Sequence, residues 1–228
     1  RVQSKVRRHS SSGVPSPVKL TFTREKIHIP SIEASTKKTA SGTVGVLALH
    51  QFGAQSVAEV QKAIEGFLKE DVDGMVLDLR GNGGGYLEGA IELTSLFIEK
   101  GIVVSVERRG GERDVHRVTG RPLIPTLPLT VLIDGGSASA SEILAGALQD
   151  HNRAKIIGED SFGKGTVQDI YQLPDGASVK VTIARWITPN GRNLGKDVIH
   201  PDTVIAPGTD PKVDVQMEAA IKEVLRKS

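Results

Sequence analysis

Three times in this 228-residue chain a short aliphatic run passes through glycine into a stretch with helical periodicity, and no other feature constrains the fold as much. Residues 43–49 lead to 55–70, where Val57, Val60, Ile64 and Phe67 recur near helical spacing. Residues 75–79 run through Gly81, Asn82, Gly83, Gly84 and Gly85 into 87–99. Residues 129–134 run through Gly135 and Gly136 into 139–149, and a further strand follows at 154–157. A strand that hands over to a helix and then to another strand makes a parallel βαβ unit with a right-handed crossover, so the expected core is α/β. Residues 102–107 and 114–118 read as two more strands. Residues 169–173 and 178–186 read as a β-hairpin joined by Pro174, Asp175, Gly176 and Ala177, and 213–226 reads as a closing amphipathic helix. Before residue 42 the chain is irregular, broken by Ser10-Ser11-Ser12-Gly13, Pro15 and Pro17, with strand-like runs only at 18–23 and 27–32.

Composition removes several function classes. With 38% hydrophobic and 25% charged residues the chain can bury a substantial core. Its net charge of +2 comes from 29 basic and 27 acidic residues without a long basic run, which argues against nucleic acid as a partner. No cysteine occurs, so neither a disulfide framework nor a thiolate metal site is expected, and either redox compartment suits the chain. No stretch reaches the roughly 20 apolar residues of a membrane-spanning helix. The six histidines form no HExxH pattern or close pair, so a metal site, a cofactor or a Ser/His triad is not expected.

The two glycine-rich strand-to-helix junctions carry the chemistry. Gly81 to Gly85 can turn backbone amides inward, as an oxyanion hole or a tight turn would need. A phosphate cradle is disfavoured because no Gly-Lys-Ser/Thr follows and the dinucleotide spacing is not met. Asp78 and Arg80, at the end of the strand before it, read as an ion pair that fixes the loop. At the second junction Ser139-Ala140-Ser141-Glu142 fits a capping box, and Ser139 also stands where free helix N–H groups would stabilise an anion. Lys164 lies between Gly163 and Gly165, which allow close backbone approach, so capping and a Ser/Lys dyad both fit. A lysine acts as a base near neutral pH only when burial or positive neighbours lower its pKa, so a dry pocket is expected around Lys164. Trp186, Tyr171 and Phe162 read as core or pocket wall.

Four ordered segments together resemble the C-terminal processing, or tail-specific, serine peptidases: Asp78-Leu79-Arg80-Gly81-Asn82-Gly83-Gly84-Gly85; Gly136-Ser137-Ala138-Ser139-Ala140-Ser141-Glu142-Ile143-Leu144-Ala145-Gly146-Ala147-Leu148; Ser161-Phe162-Gly163-Lys164-Gly165-Thr166-Val167-Gln168; and Thr188-Pro189-Asn190-Gly191-Arg192. The resemblance covers residues 18–205. It implies a crotonase/ClpP-like core of βαβ units with an added β-hairpin, in which Ser139 is the nucleophile, Lys164 the base and Gln168 the group that orients the lysine amine. The oxyanion would be held by backbone N–H groups of Ala140 and of Gly84 or Gly85. On that expectation a bulky residue in place of a glycine should harm more than a change at Asn82.

The resemblance further implies that residues 1–26 are a remnant of a PDZ domain and its linker, ahead of a peptidase core at 27–228. It implies protein or peptide substrates, cut near their C-terminus or in partly unfolded regions, and a place outside the cytoplasm. An activating adaptor or lipoprotein and a homo-oligomeric full-length form belong to the same set of expectations. Two alternatives from other classes are a non-hydrolytic peptide- or ligand-binding module of the same fold and a crotonase-type acyl-CoA enzyme. Intact Ser139, Lys164 and Gln168 weigh against both.

Overall fold

The computed structural model describes residues 2–7, 17–22, 30–174 and 176–226. The chain divides into two compact units, Arg1–Pro30 and Ser31–Ser228. In the first unit β1 (Val2–Arg7) pairs antiparallel with β2 (Pro17–Phe22), the second of which overlaps the expected run at 18–23. Half of the run expected at 27–32, residues 27–29, lies outside the described residues.

In the second unit the aliphatic runs become strands buried on both faces, as parallel strands under helices must be. The main sheet has six strands in the order β12-β9-β8-β5-β4-β3. It comprises β3 (Ile32–Thr39), β4 (Gly42–Leu49), β5 (Gly74–Asp78), β8 (Leu129–Ile133), β9 (Lys155–Gly158) and the short β12 (Thr203–Val204). All neighbours are parallel except β3, which turns back on β4. Alternation along each strand splits the core into two layers. Leu47, Met75, Leu77, Val131 and Ile133 pack with Val60, Ile64 and Phe67 of α1 (Ser56–Lys69), with Leu93 of α2 (Leu87–Ser95), and with Ile143, Leu144 and Leu148 of α3 (Ala140–Asp150). Val44, Val46, Val76, Leu132 and Ile157 point the other way, onto Met217, Ala220 and Val224 of α4 (Val215–Val224).

A second, antiparallel sheet has the order β10-β11-β6-β7. It joins the expected hairpin, β10 (Thr166–Gln172) and β11 (Ser178–Ile187), to β6 (Ile102–Arg108) and β7 (Arg113–Arg117). Only Ala184 to Ile187 of β11 pair with β6, so the rest of the hairpin stands clear of that strand. Ile170, Tyr171, Val179 and Val181 are exposed there.

Three elements differ from expectation. The polar strand β3 was not foreseen, because Glu33, Lys37 and Lys38 sit on a sheet edge where no apolar alternation is required. The two-residue β12 was also unforeseen. Helix α2 stops at Ser95 instead of running to 99: the Thr94 and Ser95 hydroxyls donate to the carbonyls of Ala90 and Ile91, and Ser95 Oγ also accepts the Thr119 N–H at 2.9 Å. Those hydroxyls offer the backbone other partners just where the helix ends.

Candidate active site

Parallel strands place their C-terminal ends along one edge of a sheet, and the loops leaving β5, β8 and β9 meet at that edge. Asp134, just past β8, ties two of them together: its Oδ1 accepts the N–H of Gly81 at 2.8 Å and of Gly136 at 2.9 Å. Ser137 Oγ donates to the Leu79 carbonyl at 2.8 Å and accepts the Asp134 N–H at 3.0 Å. The chain then reaches Ser139 with φ 57° and ψ −113°, in left-handed territory that a residue with a β-carbon enters only under constraint. This is the sharp strand-to-helix turn that pushes a side chain out of a sheet edge.

Three serines lie on that turn, and their surroundings separate them. Ser137 and Ser141 are fully buried with their hydroxyls donated to the carbonyls of Leu79 and Asn82. Ser139 is half-buried, and its hydroxyl makes no cap hydrogen bond. The capping-box arrangement is present, but its well-formed half is the bond from the Ser139 backbone N–H to Glu142 Oε2 at 2.8 Å. The Oγ stands at the helix start, with its own proton donated to no carbonyl among the described residues.

Glu142 does more than cap. Fully buried, its carboxylate accepts four hydrogen bonds: Ser139 N–H, Ser161 Oγ–H at 2.6 Å, Gly163 N–H at 2.7 Å and Lys164 N–H at 3.0 Å. One carboxylate thus fixes the backbone of the serine and of the lysine loop together. Ser161 also accepts the Ile199 N–H at 2.8 Å, and Phe162 N–H donates to the Ser137 carbonyl at 3.0 Å, so the loop before β10 is stitched to the turn and to the segment near residue 199.

The glycine loop closes the other side. Asn82 is fully buried; its Nδ2 donates to the Leu49 carbonyl at 2.6 Å and its Oδ1 accepts the Gly84 N–H at 2.9 Å. The Asn82 carbonyl accepts the Ala138 N–H at 3.0 Å and the Ser141 hydroxyl at 2.8 Å. Gly84 lies so close that an added β-carbon would come within 2.8 Å of Ser139 Cβ and 2.9 Å of the Ala140 nitrogen. Of the two candidate glycine donors, Gly84 is buried and its N–H donates to Asn82 Oδ1. Gly85 is exposed, and neither its N–H nor that of Ala140 has a partner among the described residues.

The lysine side differs from the dry pocket expected of it. Lys164 and Gln168 are both exposed, and among the described residues no hydrogen bond joins the side chains of Ser139, Lys164 and Gln168. Gly165 is pressed against the backbone of Leu194 and Gly195, which leaves no room for a β-carbon, and from Gln168 onward β10 has no cover. The lysine backbone is therefore anchored while its side chain faces solvent.

Asp78 and Arg80 form the expected ion pair, and it reaches further than the loop. The Arg80 guanidinium donates to Asp78 at 2.6 Å, to Asp214 at 2.7 Å and to Gln216 at 2.9 Å, binding the end of β5 to the start of α4. Burial alone would lower the Arg80 pKa, but the two carboxylates outweigh it and raise it. Asp214 in turn is held below the usual carboxylate range, chiefly by its hydrogen bond from Arg80.

The model of Peptidase family S41 matches residues 43–205, a span that holds every residue of this site except the Asp214 and Gln216 anchor. The chain belongs to peptidase family S41. Among S41 relatives, a carboxyl-terminal-processing protease of Synechocystis sp. is 38% identical over 219 residues, covering 92% of this chain and 51% of that protein. The carboxy-terminal processing protease CtpB of Bacillus subtilis is 35% identical over 85% of this chain and 40% of its own length. A solved photosystem II D1 C-terminal processing protease superposes with a TM-score of 0.75 at 33% identity, covering 92% of this chain and 55% of that one. The chain thus spans about half the length of these S41 proteins. Two contributors to the site were not singled out in the sequence: Glu142 was read as a cap alone, and Asn82 as secondary to the glycines.

Proposed function

We propose that this S41 chain is the catalytic core of a serine endopeptidase of the C-terminal processing type, with Ser139 as nucleophile, Lys164 as base and Gln168 as the residue that orients the lysine amine. The observation that carries the reading is the single Glu142 carboxylate that holds the backbone N–H groups of Ser139 and Lys164, at 2.8 and 3.0 Å. Two residues 25 positions apart are brought to one anchor, and among the described residues Ser139 alone of the three serines on the turn donates its hydroxyl to no carbonyl.

The steps follow from those roles. Neutral Lys164 takes the proton of Ser139 Oγ as the oxygen attacks the scissile carbonyl. The oxyanion that forms is held by the unpaired N–H groups of Ala140 and Gly85, each worth roughly 3 kcal/mol of barrier. The lysinium then gives its proton to the departing amine, and water hydrolyses the acyl-enzyme by the same route. In this scheme the exposed Lys164 side chain must fold toward Ser139 and lose water when a substrate covers it. Substrates are protein or peptide chains, and we place the activity outside the cytoplasm, in line with the processing enzymes it resembles.

The exposed lysine also supports a second reading, a peptide-binding module without hydrolysis. Cleavage of casein and of a peptide with a free C-terminus by wild type, Ser139→Ala and Lys164→Ala decides between them. The proposed outcome is turnover by wild type and loss of at least 10³-fold in both variants. Wild-type rates in either variant sink the dyad, and an inactive wild type that still binds the peptide favours the second reading.

A further inference from the structure

The glycine loop of the site is held by a side chain. Residues 81–85 contain four glycines, of which Gly81, Gly84 and Gly85 have positive φ, so the loop has little intrinsic preference for one shape. Asn82 supplies that preference. Its amide needs both ends: a donor toward the Leu49 carbonyl at the end of β4 and an acceptor for the Gly84 N–H. A carbonyl at one end and an N–H at the other fix the amide orientation without ambiguity. The backbone of the same residue donates to the Leu79 carbonyl at 3.1 Å and accepts Ala138 N–H and Ser141 Oγ–H from the nucleophile turn.

We infer that Asn82 is a positioning residue for the oxyanion hole: by capturing the Gly84 N–H it rotates that amide away from the reacting carbonyl and leaves Gly85 N–H to face it together with Ala140 N–H. The inference rests on the Ser139 nucleophile proposed above. Without the Asn82 side chain, a buried Gly84 N–H loses its partner and the loop is free to present the wrong amide. The damage then falls on the transition state, where the oxyanion exists, and spares substrate binding.

The test uses steady-state kinetics on a peptide substrate and inhibition by a peptide aldehyde, whose hemiacetal with Ser139 places an oxygen in the hole. Asn82→Ala is expected to lower kcat about 10²-fold with KM within threefold, and to weaken the aldehyde by the same factor as kcat. Asn82→Asp keeps an acceptor for Gly84 N–H but sets a second oxygen against the Leu49 carbonyl, so it is expected to lose activity as Asn82→Ala does. Should Asn82→Ala fail to fold, Asn82→Ser, whose oxygen falls short of Gly84, takes its place. Thr94→Val, which removes a buried hydroxyl bond in α2, controls for lost stability and leaves kcat unchanged. A kcat within threefold of wild type for Asn82→Ala, or a fall in kcat that the aldehyde's affinity does not follow, overturns the inference while an inactive Ser139→Ala leaves the nucleophile standing. An active Ser139→Ala overturns the nucleophile reading itself.

Discussion

The two halves of this site are prepared to different degrees. Around Ser139 and the glycine loop nearly every polar group is buried and paired: Ser137, Ser141, Asn82 and Glu142 are all fully buried, and each makes at least two hydrogen bonds to backbone or side chain. Around Lys164 the backbone is pinned but the side chains of Lys164, Gln168 and the residues beyond are open to water. An oxyanion hole works because its dipoles are oriented before the reaction, so rigidity there is useful in itself. A lysine base is useful only when desolvated, and a desolvated lysine with no substrate would be costly to keep. The difference therefore separates what can be built permanently from what is better assembled on demand.

The sharpest way to break this contrast is the one group that serves both halves. Glu142→Gln replaces two acceptor oxygens by one oxygen and an NH2, which faces either the Ser139 and Lys164 N–H groups or the Gly163 N–H and the Ser161 hydroxyl. Leaving buried donors unpaired costs about 1–3 kcal/mol each. We expect a fall in kcat/KM of about 10³-fold and a loss of several degrees in Tm, read by peptide hydrolysis and thermal unfolding. A variant with normal activity would show that the two segments do not depend on their shared anchor.

A second change acts on the rigid half alone. Gly84→Ala puts a β-carbon 2.7 Å from the Ala138 carbonyl oxygen, 2.8 Å from Ser139 Cβ and 2.9 Å from the Ala140 nitrogen, at φ +98°. Gly83→Ala, one residue away, meets nothing within 4 Å and has ordinary φ. The first is expected to cost about 2–4 kcal/mol and most of the activity, the second less than about 1 kcal/mol. Equal effects in unfolding and turnover assays would mean that the loop is not pressed on the nucleophile as described.

The same contrast governs how much of the molecule was legible in its sequence. The βαβ elements stand within a few residues of where the aliphatic runs put them, because Leu129–Ile133 and all of Gly74–Asp78 but its last residue are buried, and such positions are filled mostly by apolar side chains. Strand β3 escaped because it lies on an edge and carries Lys37 and Lys38. Ser139 and the glycine loop were visible as residue types at fixed spacing. The role of Glu142 was not: its partners Ser161, Gly163 and Lys164 lie 19 to 22 positions away, and the capping box already gave it a sufficient local reason to be there. Asn82 was hidden similarly, since a residue among glycines reads as turn-former unless the Leu49 carbonyl 33 positions earlier is known to face it.

On the open half, smaller effects are expected. Ile170 is 52% exposed on the hairpin, so Ile170→Thr should leave Tm nearly unchanged, within about 0.5 kcal/mol by denaturant titration. A clear loss of stability would reveal cover over β10 that the exposed surface does not suggest.

The smallest expected effect lies beside the lysine loop. Protonated, His200 donates to two carboxylates, with Nδ1 2.9 Å from Asp160 and Nε2 3.2 Å from Asp197, and Asp160 immediately precedes Ser161, whose hydroxyl reaches Glu142. The Asp160 hydrogen bond, with further help from Asp197 and against the opposing effect of burial, raises the His200 pKa. A group whose folded pKa is raised stabilises fully below its unfolded value, near 6.5, and loses that contribution as pH climbs through the folded value. Because the ring is 59% exposed, solvent screens most of the gain. Wild type should therefore exceed His200→Asn in Tm by a degree or so at pH 5.5, and the gap should close by pH 8.5. A gap that widens with pH would reverse the sign assigned to the bridge. A gap of several degrees would mean that the lysine side is held as firmly as the nucleophile side, and the contrast between the two halves would fall.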